Sequence, residues 1–149
     1  MPDPKPTREE LPDADGTITK YKAANKLRGK RALITGGDSG IGAATAVLFA
    51  KEGAVSTIAY LPEEEQDAQD TKQQVEALGG TCYLFATDLV NKENCQEVVN
   101  FALEKMGGID ILFNNAAYQM MVEDILDLPD DQPKKNSPVL WAGQLNPPR

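Results

Sequence analysis

The sequence predicts an α/β fold, a parallel sheet of about four strands covered by helices on both faces. Short apolar runs and helix-length stretches alternate four times across residues 31–113. The connections between them are short and punctuated by glycine and proline. The first apolar run enters a loop with glycines at positions 36, 40 and 42 and leaves it as a helix, which is how a strand–turn–helix unit is written.

Residues 1–27 are polar and rich in proline and charge. They are expected to form an extended arm that orders only against a body or a partner, docking through Tyr21 and Leu27. Arg31–Thr35 is too apolar to face water on either side, as a central parallel strand should be. Beyond the loop, Ile41, Ala44, Val47, Leu48 and Phe49 carry helical spacing, so a helix is expected from about Ile41 to Glu52, with Gly53 at its C-terminal cap. Val55–Tyr60 is a second strand rich in β-branched residues. Pro62 opens a helix whose first turn holds Glu63, Glu64 and Glu65, matching the dipole, and Gly79 and Gly80 close it. Thr81–Ala86 reads as a third strand and Asn91–Met106 as a third helix, stopped by Gly107 and Gly108. Ile109–Phe113 is a fourth strand, and a fourth helix is expected to begin near Met121. From Leu128 proline density rises and periodicity is lost, so residues 128–149 are expected to be a disordered tail. The expected organisation is an arm at 1–27, a folded half-domain at 28–127 and the tail.

At 149 residues the chain fits one domain. A formal net charge of −8 argues against nucleic acid or an anionic membrane as a partner. No run of eighteen apolar residues is present, so no membrane span is expected. Met1–Pro6 lacks the apolar core of a secretory signal and the early sequence is too acidic for a transit peptide, which makes the cytoplasm the expected compartment. Cys82 and Cys95 have neither metal-ligand nor disulfide-framework spacing and read as buried small residues; no metal is expected.

Three polar signals converge on one edge of such a sheet. Gly36, Asp38, Ser39, Gly40, Ile41 and Gly42 form the first loop, where glycines let the backbone approach a phosphate and a helix N-terminus offers N–H groups to it. Asp88-Leu89 follows the third strand and Asn114-Asn115-Ala116-Ala117 the fourth. Parallel strands end on the same edge, so these segments meet although they are far apart in sequence. Asp88 is suited to accept from an adenine amino group or from a backbone N–H, or to cap the third helix. Asn115 is suited either to pin its own loop or to touch a ribose.

On these residues, the segment from Leu27 to about Gln132 resembles the N-terminal half of the short-chain dehydrogenase/reductase family. Thr35-Gly36-x-x-x-Gly40-Ile41-Gly42 matches the family's cofactor loop, Asp88 its adenine-side aspartate, and Asn114-Asn115-Ala116 its Asn-Asn-Ala-Gly motif, with Ala117 where glycine is usual. The resemblance implies a Rossmann-type sheet with strand order 3-2-1-4. It implies NAD or NADP as cofactor and hydride exchange with an alcohol or carbonyl substrate. It further implies that Gly36, Ser39, Gly40, Ile41 and Gly42 hold the pyrophosphate, Asp88 the adenine side, and Asn115 with Ala116 the nicotinamide-side ribose. Asp38, Tyr60, Leu89 and Ala117 complete the expected cofactor-binding set.

NAD is favoured over NADP, because no Arg or Lys stands in the loop to meet a 2′-phosphate and Asp38 would repel one. Ala59-Tyr60-Leu61-Pro62 occupies the place where a discriminating acid would stand, and Glu63 comes late. The family's chemistry uses a Tyr-x-x-x-Lys pair, in which the Lys lowers the Tyr pKa for proton relay. Here the tyrosines at 21, 60, 83 and 118 are followed four residues on by Asn25, Glu64, Thr87 and Val122, and the chain has no His, so no catalytic residue is assigned. Half a sheet leaves the far edge of the fourth strand open and apolar, which predicts marginal stability, self-association or pairing with a full-length relative. Three readings follow: a shortened form of a reductase, a module that binds a nicotinamide nucleotide or a relative, and a fragment without activity.

Overall fold

The computed structural model describes residues 10–12 and 14–117. The arm is more structured than its composition suggests. Glu10–Pro12 (β1) and Ile18–Lys20 (β2) pair antiparallel as a hairpin. Its turn is built by Asp15, whose side chain accepts from Thr17 N and Oγ1 at 3.0 and 2.6 Å.

The body follows in the order the periodicity predicts. Arg31–Thr35 (β3) leads into Gly40–Lys51 (α1), then Val55–Tyr60 (β4). A 3₁₀ turn at Pro62–Glu64 runs into Glu65–Ala77 (α2), followed by Cys82–Ala86 (β5), Lys92–Met106 (α3) and Ile111–Asn114 (β6). All four body strands are parallel, in the order β5-β4-β3-β6, which is the expected 3-2-1-4. Asn91 caps α3 by accepting from Asn94 N at 2.8 Å, and Gly107 ends it in the left-handed conformation at φ 75°.

The alternation of side chains along β3 divides the interior into two cores. Ala32 and Ile34 face α1 and α2, with Ala46, Val47, Ala50, Ile58, Ala68 and Val75. Leu33 faces α3, with Ala59, Val98 and Ala102. Burying each Leu, Ile or Val side chain stabilises the fold by roughly 1.5–3 kcal/mol. The inward face of α1 differs from the expected one. It presents Gly42, Ala43, Ala46, Val47 and Ala50, small residues that bring the helix close to the sheet, and leaves Ile41 72% exposed.

β6 has a neighbour on one side only among the described residues. Leu112, paired in register with Leu33 on the α3 face, is 52% exposed. Cys82 is buried, and burial pushes its thiol up to about 11, while Cys95 is half-buried. Among the described residues no helix is long and apolar enough to cross a membrane, and no group of three potential metal ligands occurs. The expected fourth helix near Met121, Tyr118 and the tail lie outside the described residues.

Candidate functional site

The strands end on one edge, and the loops that leave them are fastened to one another. Gly36 N and Gly37 N both donate to Ala59 O, at 2.8 and 3.4 Å, which ties the glycine loop to the end of β4. Gly36 has φ 62°, and a Cβ there would lie 3.0 Å from Ala116 Cα. α1 begins hard against the same loop, since a Cβ on Gly42 would stand 1.9 Å from Gly36 O and 2.7 Å from Asn115 Nδ2. Gly40 differs from these two. Its φ is 52°, but a Cβ there would meet nothing within 4 Å, so its α-face looks into open space.

The start of α1 is left uncompensated. Ser39 occupies the N-cap in an extended conformation, makes no side-chain cap hydrogen bond, and is exposed. No acidic residue stands in the first turn. The first N–H groups of a helix have no partner within it, and they carry the positive end of the dipole. α3 has its Asn91 cap and α2 carries Glu65 and Asp67 in its first turn, so α1 is the helix end open to an outside anion.

Asn115 and Ala116 close one flank of the crevice. Thr35 Oγ1 accepts from Asn115 N and from Ala116 N, both at 3.0 Å. Asn115 Nδ2 donates to Gly36 O at 2.9 Å. Of the two expectations for the Asn115 side chain, the structure shows the loop-pinning bond. On the other flank, Asp88 Oδ1 accepts from Val90 N at 3.1 Å and its carbonyl from Asn94 Nδ2 at 2.6 Å. Asp88 is therefore not the cap of α3, and its side chain is exposed at the edge. Leu89 is half-buried and packs against the α3 core, while Ala117 is exposed.

Tyr60 ends β4 with its ring buried, and its phenol donates to Glu65 Oε2 at 2.5 Å. Burial and then Glu65 hold that phenol well above the usual tyrosine range. Asp38 is buried too, and its carbonyl accepts from the buried Thr71 hydroxyl of α2 at 2.8 Å. Burial, followed by the charge on Asp38, raises the Glu64 carboxyl, with Glu63 and Asp67 adding to the same local excess of negative charge. Sequence reasoning placed Thr35 in the loop motif without a bonding role and did not single out Thr71, although both hold the crevice loops. The motif marks Thr35 but not its partners, Asn115 N and Ala116 N, and nothing near Thr71 in the sequence marks it.

A sequence profile of the family described as short chain dehydrogenase matches residues 30–137. The chain belongs to the short-chain dehydrogenase family. General stress protein 39 of Bacillus subtilis is 50% identical over 112 residues, covering 75% of this chain and 39% of that protein. A short chain dehydrogenase from Burkholderia cenocepacia J2315, solved in complex with NADP, matches with a TM-score of 0.69 at 36% identity, over 76% of this chain and 46% of its own. NAD+-bound xylitol dehydrogenase matches with a TM-score of 0.71 at 28% identity, over 79% of this chain and 45% of its own. Solved structures similar to this one thus hold either nicotinamide dinucleotide. The chain spans between 38% and 46% of the length of the curated relatives it matches.

Proposed function

We propose that this short-chain dehydrogenase chain binds a nicotinamide dinucleotide at the C-terminal edge of its sheet and serves as the cofactor-binding part of an alcohol or carbonyl oxidoreductase. The observation that carries the reading is the start of α1, uncapped and without an acid, beside the open α-face of Gly40. Gly36, Ser39, Gly40, Ile41 and Gly42 hold the pyrophosphate. Asp88 and Leu89 border the adenine side, with Asp38 and the end of β4 at Tyr60 beside them. Asn115, Ala116 and Ala117 border the nicotinamide side, Asn115 acting mainly by holding its loop to Gly36. The bound cofactor supplies or accepts a hydride. The chain's own residues bind and orient it, and none supplies proton transfer, because no Tyr-x-x-x-Lys pair occurs in the sequence. Residues 28–127 act as the binding unit in this reading.

The cofactor is NAD rather than NADP. Glu64 is raised by burial and by Asp38, and Glu63 and Asp67 add negative charge beside the loop, where a 2′-phosphate would be repelled. Titrating the full chain with NADH and NADPH, followed by nicotinamide fluorescence, tests both statements. Saturable binding is expected, about tenfold tighter for NADH. Gly40→Ala is expected to weaken it about tenfold with the circular dichroism unchanged, because the added methyl enters the open space and costs only roughly 1–2 kcal/mol of backbone strain. A folded chain that binds neither nucleotide would sink the reading, and tighter NADPH binding would reverse the preference.

A further inference from the structure

The floor of the sheet, opposite the crevice, holds a carboxylate in an unusual place. Glu52 caps the C-terminal end of α1, where the helix dipole disfavours a negative charge, and it is only 4% exposed. Burying a carboxylate there requires donors, and the arm supplies them. The Tyr21 phenol donates to Glu52 Oε1. Lys26 N donates to Oε2 at 2.6 Å, and Ala24 N approaches both oxygens, at 3.1 Å to Oε2 and 3.3 Å to Oε1. The residue between those two amides, Asn25, is the one non-glycine residue with positive φ among the described residues, at 56°. A left-handed residue between two others turns neighbouring N–H groups toward one point, making a small backbone nest for an anion. Asn tolerates that conformation better than most residues. Here the anion is a side chain of the same chain.

Main-chain bonds extend the joint, with Leu27 N donating to Glu52 O at 3.0 Å and Gly29 N to Gly53 O at 3.2 Å. Among the described residues, none before Ala32 belongs to either core cluster. The described part of the arm next to the body is therefore held by polar bonds centred on one carboxylate.

We propose that Glu52 is a latch that fastens the N-terminal arm across the floor of the sheet, and that breaking it releases the arm as a unit while the sheet and its helices stay folded. Glu52 is charged when the latch is closed: the Tyr21 phenol, then the Lys26 and Ala24 amides and the Lys26 charge, hold its carboxyl below the usual range. The same bond raises the Tyr21 phenol, so the proton that it donates is retained. The latch needs nothing from the crevice and stands whether or not a nucleotide binds there.

Limited trypsin digestion of the full chain, read by mass spectrometry, separates release of the arm from loss of the fold. Lys22 and Lys26 are exposed cleavage sites on the arm, while Lys72 and Lys105 report on the body. The readout is the ratio of arm cleavage to body cleavage. Glu52→Gln keeps the shape but turns amide hydrogens toward the arm's own N–H groups. The ratio is expected to rise about tenfold or more, the scale of losing hydrogen bonds to a charged group. Tyr21→Phe alters nothing in the body and leaves both backbone bonds, so a smaller rise of about threefold is expected. A higher ratio in either variant supports the latch. An unchanged ratio in both overturns it, because the arm would then be no easier to release than the sheet is to unfold.

Discussion

At the floor, where β3 and β6 begin, Asp110 accepts from Arg31 N, Nε and Nη2 at 3.0, 2.8 and 3.0 Å, and its own N–H donates to Arg31 O at 2.8 Å. Gly108 leaves the room this needs, since a Cβ there would lie 2.3 Å from Arg31 Nη1. At the opposite edge, where the same strands end, the start of α1 has neither a side-chain cap nor an acid. Both ends are located by hydrogen bonds, but among the described residues only the floor has a side-chain carboxylate that meets its donors. Thr35, Thr71 and Asn115 fix where the crevice loops sit and leave the first N–H groups of α1 free of them. Position is settled by the protein, and in the reading proposed above the first N–H groups of α1 are left for an anionic ligand, which is how a preorganised anion site differs from a loose end.

The sharpest way to break this contrast is to fill the junction between loop and helix. Gly42→Ala would place a methyl 1.9 Å from Gly36 O, a backbone atom that cannot rotate away. The expected cost is about 3 kcal/mol in urea unfolding, with loss of dinucleotide binding. A stable Gly42→Ala chain that still binds would show that the crevice is not preorganised. Thr35→Val comes next. It removes the acceptor shared by Asn115 N and Ala116 N, and its expected cost is about 2 kcal/mol, together with weaker binding. Thr35→Ser restores the acceptor and should recover most of the binding, which a purely steric role for Thr35 would not predict.

The two ends were not equally legible in the sequence. The parallel body was, because buried strands such as Arg31–Thr35 carry an unbroken apolar centre, Ala32-Leu33-Ile34, and glycines at 53, 79 and 107 mark the helix ends by their need for positive φ. The floor was largely hidden. Glu52 in a helical stretch reads as one more surface acid, and only the folded arm shows that it is buried. The β1–β2 hairpin was missed although Asp15-Gly16 is a strong turn signal, because the flanking strands have three residues each and no alternation to read. At the crevice, the motif residues were visible but not what each one bonds to. Asn115 and Asp88 each had more than one suitable partner by chemistry, and choosing among them needs the distances to Gly36 and Val90 and the position of Asn91.

A smaller effect tests whether free polar groups in this fold matter only where a ligand can reach them. Thr57 Oγ1, in the middle of β4, is buried and has no partner among the described residues. By register it lies opposite Leu33, on the α3 face, away from either end of the sheet. Thr57→Val keeps the shape and removes the stranded hydroxyl, so a gain of about 1 kcal/mol is expected in urea unfolding with nucleotide binding unchanged. A loss of stability would mean that the hydroxyl has a partner, such as a buried water, and that the interior is less dry than the contrast assumes.

The smallest effect belongs to the pair at the floor. The Arg31 guanidinium holds the Asp110 carboxyl down to about 2, below the ordinary 3.8. A depressed value in the folded state means that the carboxylate's contribution is complete above the ordinary value and is lost as pH falls through the depressed one. The difference in unfolding midpoint between the wild type and Asp110→Asn should therefore be constant near neutral pH and shrink as pH drops from about 4 to about 2. Both side chains are partly open to solvent, at 35% and 28%, so the difference should be small and should narrow further in high salt. A difference that ignores both pH and salt would assign the role of Asp110 to the geometry of its side-chain hydrogen bonds with Arg31 and not to the charge.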